Sequence, residues 1–495
     1  MPVVQLRNRT ILYCLIILLC AGILAGCGGT SRKDITPPAV VSKTPVDGAT
    51  TVQLSSAISV TFSEGVNFDS FTVTNDRNVP IIGTISGNGT NVAAFTPAIN
   101  LNFNTKYSAR VVNVRDGAGN RLGDVAWTFT TNQAVMNYHI TPDSHAYDVG
   151  QFNSIAMSPV DGKAYIAYYN TSLHQLYLIG TVDGYTFDGP FRVSGSASSD
   201  WAGKFCSLAI DATGNFHISY YHEGIGLRYA TAANPAGPWT LTTVDNGLGK
   251  AVVGTDTAIA LDKNGKVHIS YYDTTNTALK YATNTSGAWV SETVDTGLPG
   301  DNPGTHTSIK LDDNGVVHIV YYDFHADINN GNLKYVFGAA GAWSDRRTLD
   351  STGDVGEFAS LAIYKGKIFV AYNHVYPDGH RFVRIITNAS GSAWMHRDIV
   401  EVSLVANDPQ SRTSNPIVID PTGLVHLAYY KAGTVYYATG ILYDAVQNIW
   451  DWATAKVVDD SQVHQGIRAS ITVDSKNAAR VSYYDATDGG LKYAQ

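Results

Sequence analysis

The sequence is short of charge. Asp, Glu, Lys and Arg make up 15% of its 495 residues, against roughly 25% in an average soluble protein. That scarcity excludes a coiled coil, a mainly helical protein and a disordered polyelectrolyte, which need charge-rich or Ala/Glu/Lys/Leu-rich sequence. A basic stretch is missing too: 34 Lys and Arg face 42 Asp and Glu, for a net charge of -8. Without a Lys/Arg cluster there is no positive stripe for phosphates, so nucleic acid is not an expected partner. No apolar run reaches the roughly 20 residues of a membrane-spanning helix. What is plentiful is Gly (46), Tyr (29) and short Val/Ile/Thr-rich runs, the composition of β-structure.

The four cysteines divide by position. Arg7 and Arg9 precede an apolar run from Ile11 to Leu24, followed by Leu24-Ala25-Gly26-Cys27. A short apolar run with small residues behind it reads as an export signal. The four residues ending at Cys27 resemble a bacterial lipobox, which implies cleavage after residue 26, lipidation of Cys27 and a membrane as partner through acyl chains. Gly28 rather than Asp follows the cysteine, which by analogy with enteric lipoproteins favours the outer membrane. Cys14 and Cys20 would leave with the signal, so Cys206 is the one free thiol of the mature chain, expected as a buried small hydrophobe. Residues 27–35, rich in Gly, Ser and Thr, read as a tether.

Between residues 36 and 131, apolar-polar runs alternate with turn clusters: Ala57–Phe62, Phe71–Val73, Ile81–Ile85, Val92–Phe95, Tyr107–Val112 and Trp127–Phe129. About seven short strands in under 100 residues suggest an Ig-like β-sandwich. Thr44-Pro-Val-Asp-Gly48, Val60-Thr-Phe-Ser-Glu64, Phe95-Thr-Pro97, Asp116-Gly-Ala-Gly-Asn120 and Trp127-Thr-Phe-Thr-Thr131 resemble the surface-layer type of bacterial Ig-like domain, which implies a spacer or adhesion module. Glu64, Asp116 and Asn120 are expected to shape turns rather than to ligate a cation.

Residues 134–495 repeat with a period near fifty. Thr257–Asp262, Gly265–Asp273, Leu279–Ala282 and Trp289–Asp295 recur as Thr307–Asp312, Gly315–Asp323, Leu333–Tyr335 and Trp343–Asp350. The first tyrosine of a Tyr-Tyr doublet falls at Tyr168, Tyr220, Tyr271, Tyr321, Tyr372, Tyr429 and Tyr483. Seven copies of four short strands predict an all-β, seven-bladed β-propeller. The last copy lacks its fourth strand, and Val135–Ile140 stands ahead of the first copy as an orphan, so the two ends are expected to pair and close the ring. The repeat resembles propellers of the sialidase-like and fucose-lectin-like superfamilies, and Thr181–Phe187 is similar to a degenerate sialidase Asp box.

Four recurring histidines, His217, His268, His318 and His426, cannot converge on one ion, because packed sheets stand roughly 10 Å apart. They are expected instead to make side-chain-to-backbone hydrogen bonds between blades. Asp211, Asp262, Asp312 and Asp420 each open an Asp-x-x-Gly turn, and one tyrosine of each doublet should face each neighbouring blade. The sequence implies no metal and no cofactor.

Candidate ligand-binding residues lie where the copies differ. Just before each expected first strand, Phe152, Phe205, Asp256, His306, Phe358, Ser414 and Arg468 share one register, with Lys204, Glu357 and Arg412 beside them. Such a ring around the channel mouth suits a glycan or protein ligand. Loops between second and third strands add His222, Asp273, Asp323, His325, His374 and Asp485. No catalytic residue is assigned: a sialidase needs three converging arginines, and only Arg412 and Arg468 stand at the mouth. Asp256 with Glu357 would be the carboxylate pair of a glycosidase if 5 to 9.5 Å apart, and His306 with a tyrosine the centre of a lyase. The expected protein is a surface-anchored binding lipoprotein, with a carbohydrate-active enzyme or a structural envelope component as alternatives.

Overall fold

The computed structural model describes residues 33–495 apart from 99, 103–104, 133–138, 144–147, 183–185, 196–199, 250–251, 326–329, 392, 404–413 and 460–467. The signal segment, Cys27 and Arg412 therefore lie outside the described residues. Residues 40–131 form an eight-stranded antiparallel sandwich with one parallel pair. Its core gathers the inward residues of each strand, among them Phe62, Phe71, Tyr107, Trp127 and Phe129. Asn120 donates through its backbone and side-chain amides to Asp116 at 2.8 and 2.7 Å, so this pair shapes a turn.

The rest of the described chain folds into seven four-stranded sheets around one axis, with strands in sequence order in blades 1 to 6 and the fourth strand split in two in blades 4 and 6. Blade 7 is completed by His139–Asp143, which pairs with Gly490–Ala494. The doublet tyrosines divide as period-2 alternation dictates. First tyrosines reach back: Tyr271, Tyr321 and Tyr372 donate to Asp245, Asp295 and Asp350 on the preceding blade's fourth strand, at 2.6 to 2.7 Å. Second tyrosines reach forward: Tyr322 donates to Asp354 of the next blade and Tyr484, across the closure, to Asp148. The basic residue of the third strand joins the same acids, as Lys280 does with Asp245 and Arg384 with Asp350.

The repeated histidines bond otherwise than the sequence suggested. His217, His268, His318 and His426 share a hydrogen bond through Nδ1 with Tyr229, Tyr281, Tyr335 and Tyr437, at 2.6 to 2.7 Å. The partner is a side chain on the third strand of the same blade, because histidine and tyrosine stand on neighbouring strands close in register. The aspartates form the expected turns: Asp262 Oδ1 accepts from the amides of Asn264 and Lys266, with Gly265 at φ 73°.

The sandwich is bound to the propeller at blade 6. The third strand there runs on to Asp444, past the level of Val425 at the base of the second, so its hairpin to Ile449–Trp452 projects from the face that carries the turns between first and second strands. Asn102, fully buried, donates to the Asp451 backbone oxygen at 3.1 Å and to its carboxylate at 3.0 Å. Arg77 donates to the Trp452 carbonyl at 2.7 Å.

Candidate functional site

A cavity of about 230 Å³ lies on the propeller axis, lined by three consecutive residues from each of the seven blades. Phe152, Phe205, Asp256, His306, Phe358, Ser414 and Arg468 all belong to it, so the divergent register does converge. The first five sit inside first strands rather than before them. Each occupies a bulge where the pairing with the second strand shifts register. Their φ angles, 49° to 56°, are left-handed, a strained conformation for aromatic residues. A close approach lies two residues earlier, at a register shift of its own. Gly254 (φ 100°) and Gly356 (φ 108°) pack so near the preceding blade that a Cβ would stand 2.6 and 2.8 Å from the Cα of Leu227 and Leu333. The Gly-x-variable spacing is present in the sequence and marks the register.

The other two lining positions in each blade join the ring together. Ser154, Ser207, Ser308, Ser360 and Ser470 each accept a hydrogen bond from an amide of the following blade, at 3.0 to 3.2 Å. Ala258 and Pro416 interrupt the series. Thr307 donates to Ser270 of the blade before, and Asn415 to Asn373. Cys206 is buried, as expected of it, and its thiol donates to the Phe152 carbonyl at 2.8 Å. These polar groups are spent on the scaffold, and the sequence pattern does not single out the serines.

The outermost lining is asymmetric. The Phe152 and Phe205 rings meet at 4.5 Å, and the Arg468 guanidinium lies 4.1 Å over Phe152 and 5.8 Å from the centre of Phe205. Burial pulls the Arg468 pKa down, and the charge of Asp256 opposes that. Across the axis His306 packs on Phe358 at 4.1 Å. Outside the cavity, Trp201 stacks on His174 at 3.6 Å with the Lys204 ammonium 4.8 Å from its ring.

Other expected members do not join. Glu357 is 5% exposed, pairs with Asn373 across the strands and is not part of the lining, so Asp256 and Glu357 do not share a site. Asp273, Asp323, His374 and Asp485 are buried rather than ranged around the mouth; Asp323 meets Lys334 at 2.5 Å, and His374 meets Asp398 at 3.6 Å. The hydroxyl of Tyr322, near His306, is committed to Asp354.

Residues 34–131 match the bacterial Ig-like domain family, Big_5. No curated protein matches the chain. Among solved structures, the chain is similar to the NanB sialidase of Streptococcus pneumoniae, at 10% identity and TM-score 0.40 over 93% of this chain and 94% of that one. It is also similar to the Penicillium chrysogenum alpha-L-arabinanase, at 10% identity and TM-score 0.41 over 72% and 95%. The Aleuria aurantia fucose-specific lectin matches at 14% identity and TM-score 0.38 over 58% and 93%. The fold is a bacterial Ig-like domain followed by a seven-bladed β-propeller.

Proposed function

We propose that this chain is a surface-anchored binding lipoprotein whose propeller recognises a glycan at the channel mouth, with the Ig-like domain as its support. The observation that carries the reading is the axial cavity, where three aromatic rings, one carboxylate and one guanidinium from different blades meet, the mixture of apolar walls and few polar groups that small-ligand sites use. Asp256 is the sole carboxylate of the described lining, so the paired acids of a glycosidase are not assembled there. The support is placed to suit display. Asp34, near the start of the described chain, accepts from Asn120 at the sandwich end remote from Asn102. The strand Lys106–Asp116 spans that distance, roughly 35 Å at 3.3 Å per residue, and the contacts to blade 6 lie on the propeller face opposite the mouth.

The test is a glycan screen of the soluble chain from residue 30. Reproducible binding abolished by Asp256→Ala or Arg468→Ala supports the reading; release of product from a polysaccharide replaces it with the enzyme alternative. Palmitate labelling of wild type and Cys27→Ser checks the anchor, and equal labelling refutes it.

A further inference from the structure

We infer that the channel takes an acidic ligand, a sugar unit whose carboxylate docks on the Arg468 guanidinium. The inference rests on the glycan-binding reading and names its ligand class.

Several interior cations of the propeller are paired. Arg384 donates to Asp350, Asp398, Thr352 and Tyr376, Lys334 meets Asp323, and Lys492 meets Asp488. Arg468 is not paired in this way. Half-buried in the cavity lining, its guanidinium has no hydrogen bond and no ion pair among the described residues; its contacts are the Phe152 and Phe205 rings. A guanidinium withdrawn from water without partners is costly, and an aromatic seat holds it while leaving its N–H edges for an acceptor. Two parallel N–H groups match the two oxygens of a carboxylate, and a narrow cavity strengthens the attraction relative to open water.

The rest of the lining narrows the choice. The hydroxyl of Ser414 is engaged with the Ala469 backbone, and the ring serines bind neighbouring amides. Asp256 is the other charged lining residue whose side chain has no hydrogen bond or ion pair among the described residues. It is suited to accept from a hydroxyl on the body of a ligand whose acid group meets Arg468, and its charge opposes a second anionic group. At about 230 Å³ the cavity suits one sugar unit rather than a long chain. Sugar rings find apolar walls in Phe152, Phe205 and Phe358.

The experiment is titration calorimetry of the full chain in mild detergent, with sodium D-glucuronate, D-glucose, sodium acetate and inorganic phosphate as probes. Glucuronate is expected to bind, with glucose at least about ten-fold weaker, a preference that Arg468→Gln removes and Arg468→Lys only partly restores. Asp256→Asn should tighten glucuronate a few-fold. Equal binding of glucose and glucuronate, unchanged glucuronate binding by Arg468→Gln with native thermal unfolding, tighter binding of phosphate, or no carboxylate binding at all each overturns the inference. Neutral glycans binding alone would sink it while the glycan reading stood; acetate equalling glucuronate, with no glycan bound, would keep the carboxylate site and remove the glycan reading.

Discussion

The Tyr168 hydroxyl donates to the Asp143 carboxylate at 2.6 Å, and the two residues come from blade 1 and from the strand that completes blade 7. At three other junctions, through Tyr271, Tyr321 and Tyr372, the same tyrosine-to-aspartate bond joins blades consecutive in the chain. Here it joins the two ends of the ring, with both side chains buried and the tyrosine pKa driven up by burial and by the charge of Asp143.

Removing that hydroxyl should therefore open the ring at its seam. Tyr168→Phe leaves a buried carboxylate short of a donor, a loss of about 1–3 kcal/mol. Urea unfolding should show it, and hydrogen exchange should rise first at the amides of Gly490–Ala494. Tyr271→Phe, within the ring, should cost a similar amount without selective opening of that strand.

Acid should destabilise the propeller in two stages. Burial holds the pKa of His217, His268 and His318 below the usual value, so the unfolded chain binds protons that the folded chain refuses, and stability falls as pH drops below about 6.5. Burial works to raise Asp350, but bonds from Thr352, Tyr372 and Arg384 outweigh it and hold its pKa at about 2. Its contribution is present above the unfolded value near 3.9 and is lost as pH falls from about 4 to 2. Asp350→Asn should flatten the second stage of a stability-against-pH curve and leave the first unchanged.

Sandwich and propeller should melt together because of Asn102. Asn102→Ala removes two buried bonds to Asp451, at about 1–3 kcal/mol for the carboxylate left behind. Calorimetry should then resolve two transitions where wild type gives one. A single unchanged transition would show that the contact does not couple the domains.

Cys206 should be inert in the native chain. Burial pushes its thiol pKa up, and the thiolate is the reactive form. A disulfide reagent at pH 8 should leave it unmodified until denaturant is added. Cys206→Ser should keep the bond to the Phe152 carbonyl and cost less than Cys206→Val, whose branched side chain has no donor for that carbonyl.

The copies of the Tyr-Tyr doublet make the ring legible in the amino-acid sequence alone. A motif recurring every fifty or so residues fixes the blade count, and an orphan run ahead of the first copy points to the closing end of the chain; the strand that pairs is His139–Asp143 rather than Val135–Ile140, of which residues 135–138 lie outside the described residues. The divergent register is legible for a related reason: in a repeat, whatever departs from the pattern is free of the packing that imposes it. Glu357 departs from its expected place because a bulge breaks the period-2 alternation that separates lining from core, and nothing in its own residue type announces that bulge. The histidines depart likewise, since strand register decides whether Tyr229 or a neighbouring backbone stands within reach of His217.

Local chemistry written along the chain thus determined the β-structure, the seven units, the turns at Asp262 and its equivalents and the variable residues of the first strands. Tertiary structure alone decided that Arg468 lies over Phe152, that Asn102 reaches Asp451 and that Glu357 is buried away from Asp256. The physical reason is distance in sequence. Residues 153 and 468 meet only after seven blades have closed, and the geometry of that closure depends on every interface between them.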